Sequence, residues 1–322
     1  NVRVCHNISR FSLKNRIPIS RQDHSTYCLS MSIEDHEAEL TTFKELLVSD
    51  SSNVGKDSSD TVAAYMSDRD CMRFLRARNM NVKKASAMAH KWWEWYNTPV
   101  QGTSRSASVS PRNILNVLED PNEDIYIRLM PHSNMGEDKV GRCVYWEQSG
   151  EISSRFAEVN KELSVDDLVI RHIRQQEYMI KRLEAASIKH GRDIEKQVIV
   201  FNLANLNYSI DLNAMSTFKQ TVVIDEAYYP ERLQHFFMIN APWFFTAIWA
   251  MLKPFIDPVT ASKIIIVGSD YMDTLREYID DSQIPEELGG SFKMVWRWPY
   301  HLPDEKPDVV ATGGVADSVK DS

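Results

Sequence analysis

The strongest constraint on the fold is a charge-free stretch, Trp243 to Leu252 (WFFTAIWAML), set between two short, continuous apolar runs. Those runs, Phe236-Phe237-Met238-Ile239 and Ile264-Ile265-Ile266-Val267, read as strands buried on both faces, the pattern of a parallel sheet. Parallel strands need a crossover, and the stretch between them supplies it. As a helix it is apolar all the way round, and about ten residues are too few to span a bilayer. It is therefore either a core helix or a lid over an apolar cavity. Glu231 and Lys263 punctuate the sheet edges on either side of it. Charges beside buried strands usually have a partner or a task, which favours the lid.

The same alternation extends upstream. A strand over Val198 to Leu203 and a helix over Asp211 to Ala227 precede the strand Phe236 to Ile239, and a strand over Lys263 to Val267 follows the apolar helix. Repeated strand–helix–strand units imply a parallel sheet with right-handed crossovers. Before them, Ile125, Ile127 and Leu129 alternate with polar residues as a half-buried strand would. Asn134 to Gly141 is turn-prone, and Cys143 to Trp146 reads as the next strand. A long helix is expected from Val165 to His190, with Leu168, His172, Met179, Leu183 and Ala186 on one side and Gly191 as its stop. His172 is expected to be a core histidine with a satisfied ring. A helix near Tyr271 to Asp280 leads into a turn at Pro285 to Gly290.

The first hundred residues carry helical periodicity instead. Ser32 with Asp35 makes a capping-box-like start, and Ile33, Leu40, Phe43 and Leu47 recur on one face up to about Val48. Residues 49–60 are polar and loop-like. A second helix over Asp68 to Arg78 puts Cys71, Phe74, Leu75 and Arg78 on one face. An arginine continuing an apolar stripe must snorkel or meet an anion. Asn81 caps a third helix whose core face is Val82, Ala85, Ala89, Trp92, Trp93 and Tyr96. The expected organisation is an amino-terminal helical bundle over 31–100, a linker over 97–112, and an α/β/α domain over 111–295 with a largely parallel sheet. Residues 1–30 are Arg- and Ser-rich and read as a disordered arm, either an organelle transit peptide or upstream sequence translated ahead of Met31. Residues 303–322 read as a flexible tail.

Composition narrows the function classes. A chain of 322 residues with 43% hydrophobic content can bury a sizeable core in about two domains. A formal charge of −8 argues against nucleic acid, whose phosphates need a basic face. No run approaches the roughly 18 apolar residues of a membrane span, so membrane contact should be peripheral. Cys5, Cys28, Cys71 and Cys143 lie far apart without metal-ligand spacing, which suggests no metal, no disulfide framework and a cytoplasmic setting. No cofactor motif is present, and no nucleophile, base and orienting residue share a recognisable spacing, so a non-enzymatic role is expected.

Several fragments occur in one order: Arg73-Phe74-Leu75-Arg76-Ala77-Arg78, Gly141-Arg142 before Val144-Tyr145, Tyr229-Pro230-Glu231-Arg232, Ile239-Asn240-Ala241-Pro242, Lys253-Pro254-Phe255, Asp257-Pro258-Val259-Thr260-Ala261-Ser262-Lys263, and Pro285-Glu286-Glu287-Leu288-Gly289-Gly290. Over roughly residues 32–295 the chain resembles the CRAL-TRIO lipid-exchange family, and within it the yeast-type phosphatidylinositol transfer proteins. The resemblance implies a sheet enclosing an apolar lipid pocket, with the inositol phosphate headgroup held by Arg78, Glu231, Thr260 and Lys263. The residue types suit that chemistry, because a carboxylate accepts hydrogen bonds from ring hydroxyls and cations neutralise a phosphodiester. A structural ion pair between Glu231 and Lys263 is the competing explanation, and for Arg78 it is a snorkelled or interdomain arginine.

Phe218, Val222, Ile239, Ile248 and Leu252 are candidate pocket walls, and Trp243, Phe244, Phe245 and Trp249 are candidates for a lid surface that meets the bilayer. Where some relatives also take phosphatidylcholine through small hydroxyl residues and tyrosines, this chain keeps Tyr145 but has Asn134 and the hydroxyl-free Gln197-Val198-Ile199-Val200. The second ligand is therefore left open between a sterol, another apolar molecule and none. The expected function is monomeric carriage or presentation of phosphatidylinositol, cytoplasmic and peripheral on membranes. The alternatives are a lipid-sensing module that regulates a lipid kinase or small GTPase, or a carrier of another hydrophobic ligand.

Overall fold

The computed structural model describes residues 33–49, 61–116, 120–209 and 211–296. The expected arm, the cap at Ser32, the polar loop after Ser49 and the tail lie outside the described residues.

Four helices make the first lobe. A 3-10 turn at Glu34–His36 leads into α1 (Glu37–Ser49), followed by α2 (Val62–Tyr65), α3 (Asp68–Arg76) and α4 (Val82–Asn97). Leu40, Phe43 and Leu47 of α1 meet Phe74 and Leu75 of α3 and Ala85, Met88 and Ala89 of α4 in one buried core. Helix α3 starts with a reciprocal capping box between Ser67 and Asp70, and Asn81 caps α4 by accepting from the Lys84 amide; such caps satisfy amides that the first turn leaves orphaned. The end of α3 corrects the expectation for Arg78. The helix stops at Arg76, Asn79 and Met80 take positive φ, and the Met80 amide returns to the Leu75 carbonyl at 2.8 Å. Arg78 thus leaves the stripe, and Arg73, 6% exposed, is the buried arginine of α3.

The expected linker is packed. Val100 and Val109 bridge antiparallel, the Thr103 hydroxyl donates to Asp167 at 2.6 Å, and Ile114 packs on Val169, Ile170 and Ile173. A second correction follows at Ile125 to Leu129, which form helix α5 (Glu123–Leu129) rather than a strand. Ile125, Tyr126 and Leu129 are the buried positions, spaced as a helix face, and Glu123 and Asp124 sit in its first turn where the helix dipole favours acids. The Tyr126 hydroxyl then donates to the Asp167 carbonyl at 3.1 Å, a tertiary tie that outweighs the β-branched residues' strand preference.

The second lobe is built on β1 (His132–Ser133), β2 (Val144–Glu147), β3 (Gln197–Asn202), β4 (Leu233–Ile239) and β5 (Ile264–Ile266), which neighbour one another in that order. β1 is antiparallel to β2, and the rest run parallel. Short helices α6 (Ser149–Ser154) and α7 (Phe156–Glu162) precede the long α8 (Val165–His190); α9 (Leu212–Tyr228), α10 (Phe245–Leu252), α11 (Pro258–Ser262) and α12 (Met272–Tyr278) follow. Helix α8 is capped by Ser164 and Asp167 and ends at Gly191, whose φ of 60° is the left-handed region a residue with a Cβ avoids. Its His172 is satisfied, with Nε2 2.7 Å from the Asp225 carboxylate.

Because the parallel strands follow in chain order, right-handed crossovers bring α8, α9 and α10 to one face. The other face is closed by Leu275, Ile279, Ile284 and Leu288, packed on Val144, Trp146, Val198, Val200, Phe237 and Ile239. Strand alternation therefore corrects the placement of Ile239, an expected pocket wall. It points to the α12 side, while Phe236 and Met238 point to the crossover side.

Candidate functional site

The two faces of the sheet differ in how well they are covered. On the α12 side Val144, Trp146, Val198, Val200, Phe237 and Ile239 are buried, whereas on the crossover side Ile199, Phe201, Phe236 and Ile266 are only half-buried. Helix α9 has no buried residue, although it carries Phe218, Val222 and Ile224, and α10 buries only Phe245. Apolar side chains that face a sheet yet remain partly accessible mark a hollow rather than a packed layer.

Helix α10 is accordingly a cover. Phe245, Ile248 and Trp249 pack on Leu203, Met238 and Ile264 at one end of the sheet, so Phe245 and Trp249 face the sheet. Trp243, 78% exposed, is the outward ring, and Phe244 sits edge-on to both it and Tyr208. Leu252 is half-buried at the end of α10. Met251, Phe255 and Val259, and Leu212 and Val223 of α9, are also exposed apolar side chains. Helix α9 is tied to the segment after α10 by the Lys219 ammonium over the Phe255 ring at 4.4 Å and by the Asp257 amide donating to the Glu226 carboxylate at 2.7 Å.

The polar end of the site is set by the segment Tyr229 to Arg232. The Tyr229 hydroxyl donates to Glu177 at 2.7 Å, the Pro230 carbonyl accepts from Arg73 Nη1 at 3.2 Å, and the Arg232 carbonyl accepts from the Gln197 amide at 2.8 Å. Residues on both sides of Glu231 are thereby locked, and Glu231 itself is held at φ 58°, a conformation uncommon outside glycine. Strain of this kind persists only where the surroundings over-determine it, and it clusters at functional positions.

Two ammonium groups converge on that carboxylate. Lys196 Nζ lies 2.8 Å and Lys263 Nζ 3.9 Å from Glu231 Oε2. Burial alone would raise the Glu231 carboxyl, but Lys196, Lys263, the Lys196 hydrogen bond and the field of Arg76 outweigh it and hold the group below the ordinary carboxylate range. Lys263 is positioned by α11, which Asp257 caps and Pro258 starts, and its amide is bonded to the Thr260 carbonyl at 3.0 Å. Glu231 and Lys263 are thus brought together. Arg78 is turned onto the Ala77 carbonyl at 2.8 Å, and Thr260 lies one turn before Lys263; neither is tied to the carboxylate. Tyr145 is buried against α8, its hydroxyl donating to Glu147 at 2.8 Å.

Sequence reasoning missed Lys196, Arg76 and Arg73. Lys196 sits immediately before β3, the place Lys263 holds before β5, and that parallel position was the available signal. Arg76 offered less, because its partner Glu195, at 2.8 Å, is far away in the chain.

No helix among the described residues is long and apolar enough to cross a membrane. Residues 133–290 match the CRAL/TRIO domain. The SEC14 cytosolic factor of Candida glabrata is 30% identical over 229 residues, covering 70% of this chain and 71% of that protein. The phosphatidylinositol/phosphatidylcholine transfer protein SFH4 of Arabidopsis thaliana is 31% identical over 291 residues, which are 88% of this chain and 44% of that one. Among solved structures, Sfh5 matches with a TM-score of 0.54 over 74% of this chain and 82% of its own at 14% identity, a likeness of fold.

Proposed function

Since this chain belongs to the CRAL/TRIO family of Sec14-type lipid-transfer proteins, we propose that it withdraws phosphatidylinositol from one membrane and carries or presents it at another, without chemical change to the lipid. The observation that carries this reading is Glu231, strained and flanked by Lys196 and Lys263, at the polar end of a lobe whose crossover face is incompletely filled. Burying acyl chains there is worth about 0.8 kcal/mol per CH₂, yet a bilayer offers them the same environment. Selectivity must therefore reside in the headgroup.

Glu231 can accept hydrogen bonds from ring hydroxyls, and the lysines supply charge for the phosphodiester. In the empty protein the same groups satisfy one another, which limits the desolvation cost of a dry site. Arg78 and Thr260 are further candidates to contact the phosphate.

The test is twofold: mass spectrometry of lipids that co-purify with the protein, and net transfer of phosphatidylinositol between vesicle populations, measured against phosphatidylcholine and a sterol. Net phosphatidylinositol transfer is the expected result. Tight retention without net transfer would instead indicate a lipid sensor, and a chemically altered lipid would indicate an enzyme.

A further inference from the structure

On α4, Trp92 and Trp93 pack on the core of the first lobe. Trp95 instead crosses to the second lobe, where it packs beside Ile114 and, on α8, Val169, Ile170 and Ile173. There its ring lies flat on Tyr228, with centroids 4.1 Å apart and planes 1° from parallel, and it meets Tyr229 edge-on at 5.7 Å. Tyr228 is the last residue of α9 and Tyr229 its cap. Glu231, with its φ of 58°, follows directly after Pro230.

We propose that Trp95 is a positioning residue for the headgroup site: by clamping the end of α9 it holds Glu231 in the left-handed conformation in which it receives the inositol ring. This deepens the inositol-lipid reading above and rests on it. A left-handed glutamate is kept in place by its surroundings and relaxes when they loosen. On its carboxyl side the holding contact is the Gln197 amide on the Arg232 carbonyl. On its amino side Arg73 holds the Pro230 carbonyl and Glu177 holds the Tyr229 hydroxyl.

One residue further back, the chain is α9, which has no buried residue. Core packing therefore does not fix where that helix ends, and the Trp95–Tyr228 stack does. Two flat rings set orientation as well as distance, and such a pair contributes beyond the area it buries. Without the stack, fewer molecules hold Glu231 in place. A ligand that needs those molecules then binds more weakly in proportion, while the ones that do load it still deliver it at the same rate.

The experiment compares the full chain with Trp95→Leu, Tyr228→Leu, the double variant and Trp95→Phe. It measures phosphatidylinositol transfer from donor vesicles in which the mole fraction of that lipid is varied. Each leucine variant should raise the half-saturating mole fraction by about fivefold, the worth of one aromatic pair, with the maximal rate kept to within about twofold. The double variant should be no worse than either single one, because both changes remove the same contact. Trp95→Phe keeps a ring for Tyr228 and should restore most of the affinity.

A lower maximal rate at unchanged half-saturation, which a merely structural contact between the lobes would give, overturns the proposal. So do effects that add in the double variant, a Trp95→Phe no better than Trp95→Leu, or no change at all. If Trp95→Leu does not fold, Tyr228→Leu and Trp95→Phe carry the comparison. An unaltered protein that transfers no phosphatidylinositol is a separate result, because it removes the inositol-lipid reading and this proposal with it.

Discussion

The Lys219 ammonium lies 4.4 Å from the centre of the Phe255 ring and so joins α9 to the turn that ends α10. With the Asp257 amide on Glu226 at 2.7 Å, it ties α9 to the segment after α10. Phe255 is itself exposed, so its contact with Lys219 is a surface one, worth about 0.5–1 kcal/mol. Lys219→Ala should therefore shift the opening equilibrium by about two- to fivefold, with the lipid off-rate rising by the same factor and the unfolding midpoint unchanged. Adding Glu226→Ala should raise the off-rate further. Stopped-flow transfer of a fluorescent lipid reads this directly, and an off-rate insensitive to both changes would place the moving element elsewhere.

Glu231→Gln keeps the shape of the side chain and its tolerance for positive φ but removes the charge that Lys196 and Lys263 share. Phosphatidylinositol pickup should fall at least tenfold, and Lys263→Ala should do the same, with circular dichroism unchanged in both. Undiminished transfer in the two variants would show that the cluster is a structural ion pair.

The main architecture was legible because it is written in local signals. The strand–helix alternation from Val198 onward, the Asn81 cap, the helix start at Asp211 and the Gly191 stop all lie where the local pattern puts them, within a residue. The misreadings occur where tertiary contacts override local preference. Ile125, Ile127 and Leu129 fit a strand of period two, but Tyr126, on the other face of that strand, is buried and bonded to the α8 cap residue Asp167. Arg78 lies past a helix end set by two positive-φ residues, neither of them glycine. The acidic member of the cluster with Lys196 and Lys263 was visible because Glu231 sits in a recognisable motif. Lys196 was not, because its role depends on strand order, which brings residues 35 apart in the chain to hydrogen-bonding distance.

Trp243 is the exposed aromatic of the cover, at 78%. A side chain with so few contacts contributes little to folding, so Trp243→Ala should change stability by no more than about 0.5 kcal/mol. At a membrane interface the same ring has an apolar body to bury. Transfer should slow several-fold while equilibrium lipid loading in detergent-free solution stays constant. A loss of stability above about 1 kcal/mol would show instead that the ring is packed core.

Glu177 gives a pH test of how the two lobes are joined. Its carboxyl accepts from Tyr229 at 2.7 Å and from Tyr96 of α4 at 3.4 Å, and Tyr96 is in turn 3.0 Å from the Tyr65 hydroxyl. Burial is the largest influence and pushes this carboxyl up from 4.5 to about 7, against the opposing effects of the Tyr229 hydrogen bond and Arg232. A folded-state value above the unfolded one means that the native protein holds the extra proton between about pH 4.5 and 7. The corresponding stability is fully present below about pH 4.5 and is lost as pH rises through about 7. At about 1.4 kcal/mol per unit, the loss by pH 8 is on the order of 3 to 4 kcal/mol. Glu177→Gln retains an oxygen for Tyr229 and cannot ionise, so the stability of the unaltered protein minus that of the variant should decline from pH 5 to pH 7 and level off above it. Urea unfolding at pH 5, 6, 7 and 8 measures that difference, in which the titration of other groups cancels. A flat difference would mean that Glu177 ionises as an ordinary carboxylate and that the Tyr65–Tyr96–Glu177–Tyr229 chain joins the lobes as an anion-centred network.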